Sequence, residues 1–158
     1  MKTLVSTALL ALALAASPAC ADAVKIGDLT ITDAWARATP KGAPVGVGYL
    51  TIANHGAAAD RLDGVAVDFA EVQVHAMSMN KGVMEMREVT GGLKIPAYKT
   101  VTLQPGGYPL MFVRLKHPLA KGANFKATLT FQHAGAATVD FPVLPVGSPG
   151  PAMGGMKM

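Results

Sequence analysis

Methionine is the residue whose placement could do chemistry. The chain has nine, and after the initiator none occurs before Met77. Met77, Met79, Met84, Met86 and Met111 follow, and Met153, Met156 and Met158 close the chain. Core-filling Met would be scattered, whereas these cluster, with His75 at the edge of the first group. Side chains alternate across a strand, so Val72, Val74 and Ala76 share one face and Gln73, His75, Met77 and Met79 the other. The Met set travels with Gln and His, on the face expected to be exposed or at a rim. If Lys81-Gly82 is a two-residue turn, Asn80 pairs with Val83, Met79 with Met84 and Met77 with Met86. Met84, Met86 and Glu88 then share a face, and His75 lies diagonally from Met86. Thioethers with one imidazole suit Cu(I). Zinc would want thiolate, more imidazole or carboxylate, and calcium an oxygen-rich loop that the sequence lacks. The competing reading is that these Met residues fill gaps in packing and that His75 is an ordinary polar side chain.

The remaining polar groups point to no second chemistry. His55 sits in an Asn-His-Gly turn, His117 precedes Pro118, and His133 ends a strand near a Gly, so each reads as a solvated or loop residue. Asp60, Asp63, Asp68 and Glu71 read as solvated strand ends. There is no G-x-S-x-G elbow and no Walker loop. Gly46-Val47-Gly48 lacks the third Gly of a dinucleotide fingerprint, since position 51 is Thr51. Basic residues are dispersed and the net charge is only +4, which gives no nucleic-acid signature. No enzyme motif emerges.

The elements that would carry these residues are short strands. With 158 residues, 51% apolar and 15% charged, the chain is long enough for one buried core and too apolar for disorder. Seventeen Gly and eleven Pro favour a turn-rich β protein. Leu29-Thr30-Ile31-Thr32 alternates as a half-buried strand, and 39–44 is a loop. Val45 to Ala53, Arg61 to Asp68, Phe69 to Met79 and Val83 to Val89 read as strands. A loop follows from Gly91 through Pro96, then extended segments at 101–104, 111–115, 124–132 and 137–146. An all-β sandwich or small barrel is the expectation.

The ends are read separately. Lys2, the apolar run Leu4 to Ala16 and Ala19-Cys20-Ala21 make residues 1–21 a secretory signal peptide. The run is shorter than the roughly 20 residues of a membrane span. Export to the periplasm follows, with no membrane span, and residues 22–158 hold no Cys. Acylation of Cys20 is the alternative, though Ser17-Pro18-Ala19 makes a poor lipobox. Residues 22–146 form the domain, and 147–158 form a flexible tail carrying three Met.

With these motifs in view, the chain resembles the periplasmic copper chaperones of the PCu(A)C family. The resemblance is carried by Asp33-Ala34-Trp35-Ala36-Arg37-Ala38-Thr39-Pro40, Tyr49-Leu50-Thr51-Ile52 with Asn54, Val74-His75-Ala76-Met77-Ser78-Met79, Gly82-Val83-Met84-Glu85-Met86-Arg87 and Pro105-Gly106-Gly107-Tyr108. It implies a cupredoxin-like Greek-key fold and a monomeric Cu(I) metallochaperone. Such a chaperone acts by ligand exchange on copper-accepting proteins such as cytochrome oxidase copper-site assembly factors. The family's ligands are a His, a downstream Met and a later His-x-Met. His75, Met86 and Met111 match three of them, while the second His is replaced by Pro109. Met77, Met79, Met84 or a tail Met are then candidates for the open position. The alternatives are a degenerate family member acting as a non-metal interaction module, which Pro109 favours, and a copper oxidoreductase. The latter is disfavoured because the His₂Cys set of an electron-transfer site is absent.

Overall fold

Alternation of apolar and polar residues along most of the chain produces, among the described residues, eleven strands and no helix. A computed structural model describes residues 23–105, 107–148 and 150. The strands are β1 (Val24–Ile26), β2 (Leu29–Arg37), β3 (Val45–Asn54), β4 (Asp60–Ala66), β5 (Glu71–Asn80) and β6 (Val83–Glu88). They continue as β7 (Leu93–Ile95), β8 (Thr100–Leu103), β9 (Leu110–Val113), β10 (Asn124–Phe131) and β11 (Gly135–Leu144). Their order in the sheet is β6-β5-β9-β3-β2-β11-β10-β4-β7, with β1 beside β2 and β8 beside β3. Only β11 with β2 is parallel; the other pairs are antiparallel.

One core is enclosed by residues from both ends of this path. Leu29 and Ile31 of β2, Leu50 and Ile52 of β3 and Leu110 of β9 join Leu62 of β4, Leu129 of β10 and Val139 and Phe141 of β11. Each such side chain removed from water contributes about 1.5–3 kcal/mol. A smaller cluster of Ala36, Phe69, Phe112, Leu119 and Val143 closes one end. The Phe125 ring meets Phe69 and Phe112 edge-on and stacks on Phe141 at 5.3 Å. Gly48 has a packing role here: a Cβ there would lie 2.6 Å from the Phe112 ring.

A bulge in β2 determines what its second half presents outward. The β2–β3 register shifts between Thr32 and Trp35, and Asp33 takes a positive φ of 54°. Before the bulge the odd residues Leu29 and Ile31 face the core; after it Ala34 and Ala36 do. Trp35 and Arg37 are thereby turned to the opposite face of the sheet, where Trp35 is still buried, at 4% exposure.

Several boundaries differ from the sequence expectation. Residues 93–95 are the strand β7, paired with β4, not part of a loop. Leu93 and Ile95 are buried around an exposed Lys94, a run too short to show a period. β1 pairs with β2 and was not foreseen, for the same reason. Phe69 lies between strands, in the core.

Candidate metal centre

The outer face of β6, β5 and β9 carries the thioethers, and a turn sets their register. Lys81 and Gly82 both have positive φ, 49° and 80°, the pattern of a type I′ hairpin turn. Asn80 therefore pairs with Val83, Met79 with Met84, Met77 with Met86 and His75 with Glu88. Directly opposed residues share a face, so His75, Met77, Met79, Met84, Met86 and Glu88 lie together. The Val89 N–H donates to the Val74 carbonyl at 2.8 Å, which makes the adjacent His75–Glu88 pair a non-hydrogen-bonded one, with its side chains closer together.

The other edge of β5 brings in Met111. Gln73 pairs with Met111 and Val74 with Leu110. The ladder runs on beyond β9: the His75 N–H donates to the Pro109 carbonyl and the Met77 N–H to the Gly107 carbonyl, both at 3.1 Å. Pro109 thus stands beside His75 on the same face, and a His at this position would face the thioethers. Proline has no N–H to return to the His75 carbonyl. Val72 and Val74 point the other way and pack against the core.

Exposure is graded along the hairpin. His75 and Met77 are half-buried, whereas Met86, Met84 and Met79 are 47%, 55% and 67% exposed. The Met77–Met86 pair adjoins His75 on one side and Met111 lies diagonally on the other. The Met79–Met84 pair is a rung further out, four residues or ~13 Å along the strand from His75. Met77, Met86 and Met111 are therefore each a neighbour of His75, while Met79 and Met84 form a separate outer pair. Met153, Met156 and Met158 lie outside the described residues, as do residues 1–21.

The imidazole itself is asymmetrically satisfied. Its Nε2 lies 3.0 Å from Gln73 Oε1, and its Nδ1 is buried with no hydrogen-bond partner among the described residues. Gln73 and Glu88 are the two polar residues that sequence reading left without a role. Their positions at i−2 on the same strand and across the hairpin were the only signal.

Further across this face, Trp35 and Tyr49 pack with ring centroids 4.6 Å apart. The Arg37 guanidinium lies 5.7 and 5.5 Å from the two ring centroids. Burial raises the Tyr49 hydroxyl above its usual range, against the opposing effect of the Arg37 charge, so it stays a neutral phenol.

The other histidines take no part. The His55 backbone N–H donates to Asp28. The His117 ring lies against Phe69 at 5.0 Å, and His133 sits in the β10–β11 turn. Asp60 corrects the expectation of a solvated strand end. It is buried, and its carboxylate accepts the backbone N–H groups of Arg61, His133 and Ala134. Among the described residues, no three His, Cys, Asp or Glu side chains converge to hold a metal ion. Apart from the oxygens of Gln73 and Glu88, the donors gathered around His75 are thioethers, a soft set that suits Cu(I).

Comparison with known proteins gives the family and the fold. Residues 29–143 match the family described as "Putative lipoprotein LpqE-like". "Putative lipoprotein Lxx21020" of Leifsonia xyli subsp. xyli (strain CTCB07) is 31% identical over 114 residues, which is 72% of this chain and 68% of that protein. The copper-bound PCuAC domain from PmoF2 is 28% identical, with a TM-score of 0.66, over 78% of this chain and 98% of that one. The Cu(I) form of DR1885 from Deinococcus radiodurans is 27% identical, with a TM-score of 0.58, over 80% of this chain and 83% of that one.

Proposed function

The chain belongs to the LpqE-like, PCu(A)C family, and on that premise we propose that it is an extracytoplasmic Cu(I) metallochaperone. His75, Met86 and Met111 hold the ion, and Met77 completes the set in place of the imidazole that Pro109 removes. The observation that carries this reading is the register of β6, β5 and β9. It surrounds an imidazole bearing an orphaned buried nitrogen with three thioether residues on neighbouring positions. Cu(I) accepts thioethers at low coordination number, so loss of one nitrogen donor is tolerated.

Delivery is ligand exchange, with no bond of the cargo's own made or broken by catalysis. The half-exposed Met86 lets an acceptor's ligands approach before the chaperone's own have let go. Acceptors are copper proteins, including cytochrome oxidase copper-site assembly factors. The face ends at β6, which among the described residues pairs only with β5 and so leaves room for such a partner.

Export is part of the same reading. No described helix is long and apolar enough to cross a membrane. Cleavage before Asp22 yields a free periplasmic domain. The lipoprotein names of the family and of the Leifsonia relative support the alternative, in which Cys20 is retained and acylated. Intact mass of the exported protein separates the two.

Pro109 favours a second reading, a family scaffold that serves as an interaction module without copper. Competitive Cu(I) titration against a chromogenic chelator decides. Stoichiometric uptake that disappears in His75→Ala and weakens in Met111→Ala supports the chaperone. No uptake by the wild-type protein supports the module.

A further inference from the structure

We propose that Gln73 is a positioning residue for the metal centre: by accepting the Nε2 proton of His75 it fixes the imidazole tautomer and makes Nδ1 the nitrogen that binds copper. This rests on the Cu(I) reading of the face and adds which atom binds and what holds it ready.

Three observations support it. Gln73 Oε1 lies 3.0 Å from His75 Nε2, and a carbonyl oxygen can only accept, so the proton belongs on Nε2. A neutral imidazole has one N–H and one lone pair, so Nδ1 then carries the lone pair. That Nδ1 is buried with no partner among the described residues, and such a buried polar group calls for an explanation. A proton on Nδ1 would be an unpaired buried donor; a lone pair there is a ligand waiting for an ion.

Strand geometry explains why Gln73 can serve. Residues two apart on a strand lie on the same face, and the amide reaches the ring along that face. Gln73 is also paired with Met111, so one side chain lies between the imidazole and a thioether donor. Metal-binding histidines commonly donate their second ring N–H to an oxygen, which orients the ring and raises its basicity. Here that oxygen belongs to a neutral amide, which adds no charge beside a Cu(I) ion that must leave again.

The test needs ¹⁵N-labelled full-length exported protein and long-range ¹H–¹⁵N correlation of the His75 ring, first without metal and then with one equivalent of Cu(I). The metal-free wild type should show the proton on Nε2, and Cu(I) should move the Nδ1 resonance. Gln73→Leu should yield a mixture of tautomers and weaken Cu(I) binding by about 10- to 100-fold. Gln73→Glu, which still accepts from Nε2, should restore both the tautomer and tight binding. A wild-type proton on Nδ1, or copper on Nε2, overturns the proposal. So does a Gln73→Leu protein with the tautomer and affinity unchanged. The wild-type tautomer needs no variant and stands even if Gln73→Leu folds poorly. His75→Ala binding Cu(I) as tightly as wild type would instead defeat the copper reading and leave the tautomer result in place.

Discussion

Asp60, at the start of β4, and His75, in the middle of β5, are two polar side chains that the chain treats oppositely. At Asp60, three backbone N–H groups converge on one carboxylate, tying the start of β4 to the β10–β11 turn. At His75, one nitrogen meets Gln73 and the other meets no partner among the described residues. The first arrangement consumes its hydrogen-bonding capacity internally and so supports the fold. The second withholds capacity, on a face where, besides Gln73 and Glu88, the neighbouring side chains are thioethers that make no hydrogen-bonding demand of their own. A buried polar group satisfied by the chain is structural; one left open among soft donors is available to a cargo.

The comparison is sharpest if the two sites fail separately. Asp60→Ala leaves the His133 and Ala134 N–H groups without their acceptor and should cost about 3 kcal/mol of stability, more than a hundredfold in the folding equilibrium. Cu(I) affinity of the folded protein should not change. His75→Ala should do the reverse: stoichiometric Cu(I) binding is lost, and stability stays within about 1 kcal/mol. Urea unfolding and competitive titration of both variants check this. An Asp60→Ala protein that loses copper at native concentrations of folded protein would break the separation.

Pro109→His comes next. It places a second imidazole beside the first and restores an N–H for the His75 carbonyl. Both copper oxidation states should bind more tightly, with the larger gain for Cu(II), which prefers nitrogen ligands. Equal gains in the two titrations would show that position 109 does not join the centre.

The acid limb of stability should belong to Asp60. Burial pushes its carboxyl up, but the N–H groups of His133, Arg61 and Ala134 outweigh this and hold it below the usual carboxylate range. A carboxyl depressed in the folded state contributes stability that is complete above its unfolded value of about 3.9 and is lost as pH falls through the folded value. Melting temperature should therefore drop more steeply below about pH 4 in wild type than in Asp60→Asn. Parallel curves would remove Asp60 from this role.

The smallest effect is expected at the outer thioether pair. Met79→Ala should change stability by no more than about 0.5 kcal/mol, because the side chain is exposed. It should disturb Cu(I) affinity less than Met77→Ala or Met86→Ala does. A Met79→Ala loss as large as that of Met86→Ala would move the centre outward along the hairpin.

How much of this was legible depends on the range of the signal. The hairpin was readable because its cause is local: Lys81-Gly82 dictates a two-residue turn, and strand alternation then assigns every face from Gln73 to Glu88. Strands β1 and β7 were not readable, since three residues carry no period. Asp60 looked like any surface acid, because two of its three partners, His133 and Ala134, are more than seventy residues away. Gly46-Val47-Gly48 was read as an incomplete dinucleotide fingerprint with no role assigned, and only Phe112 packing against Gly48 gives that glycine a reason.

By itself, then, the sequence determined the strand-rich class, the faces of the hairpin and the donors on it, since turn chemistry and period-two alternation are properties of neighbouring residues. Pairing between distant strands was decided only in the tertiary structure. It put Met111 and Pro109 alongside β5 and turned Trp35 to the opposite face of the sheet through the bulge at Asp33. It also left one nitrogen of His75 without a partner among the described residues. These depend on which strand the sheet lays next to which, and on what burial then leaves unsatisfied, neither of which any short stretch of sequence encodes.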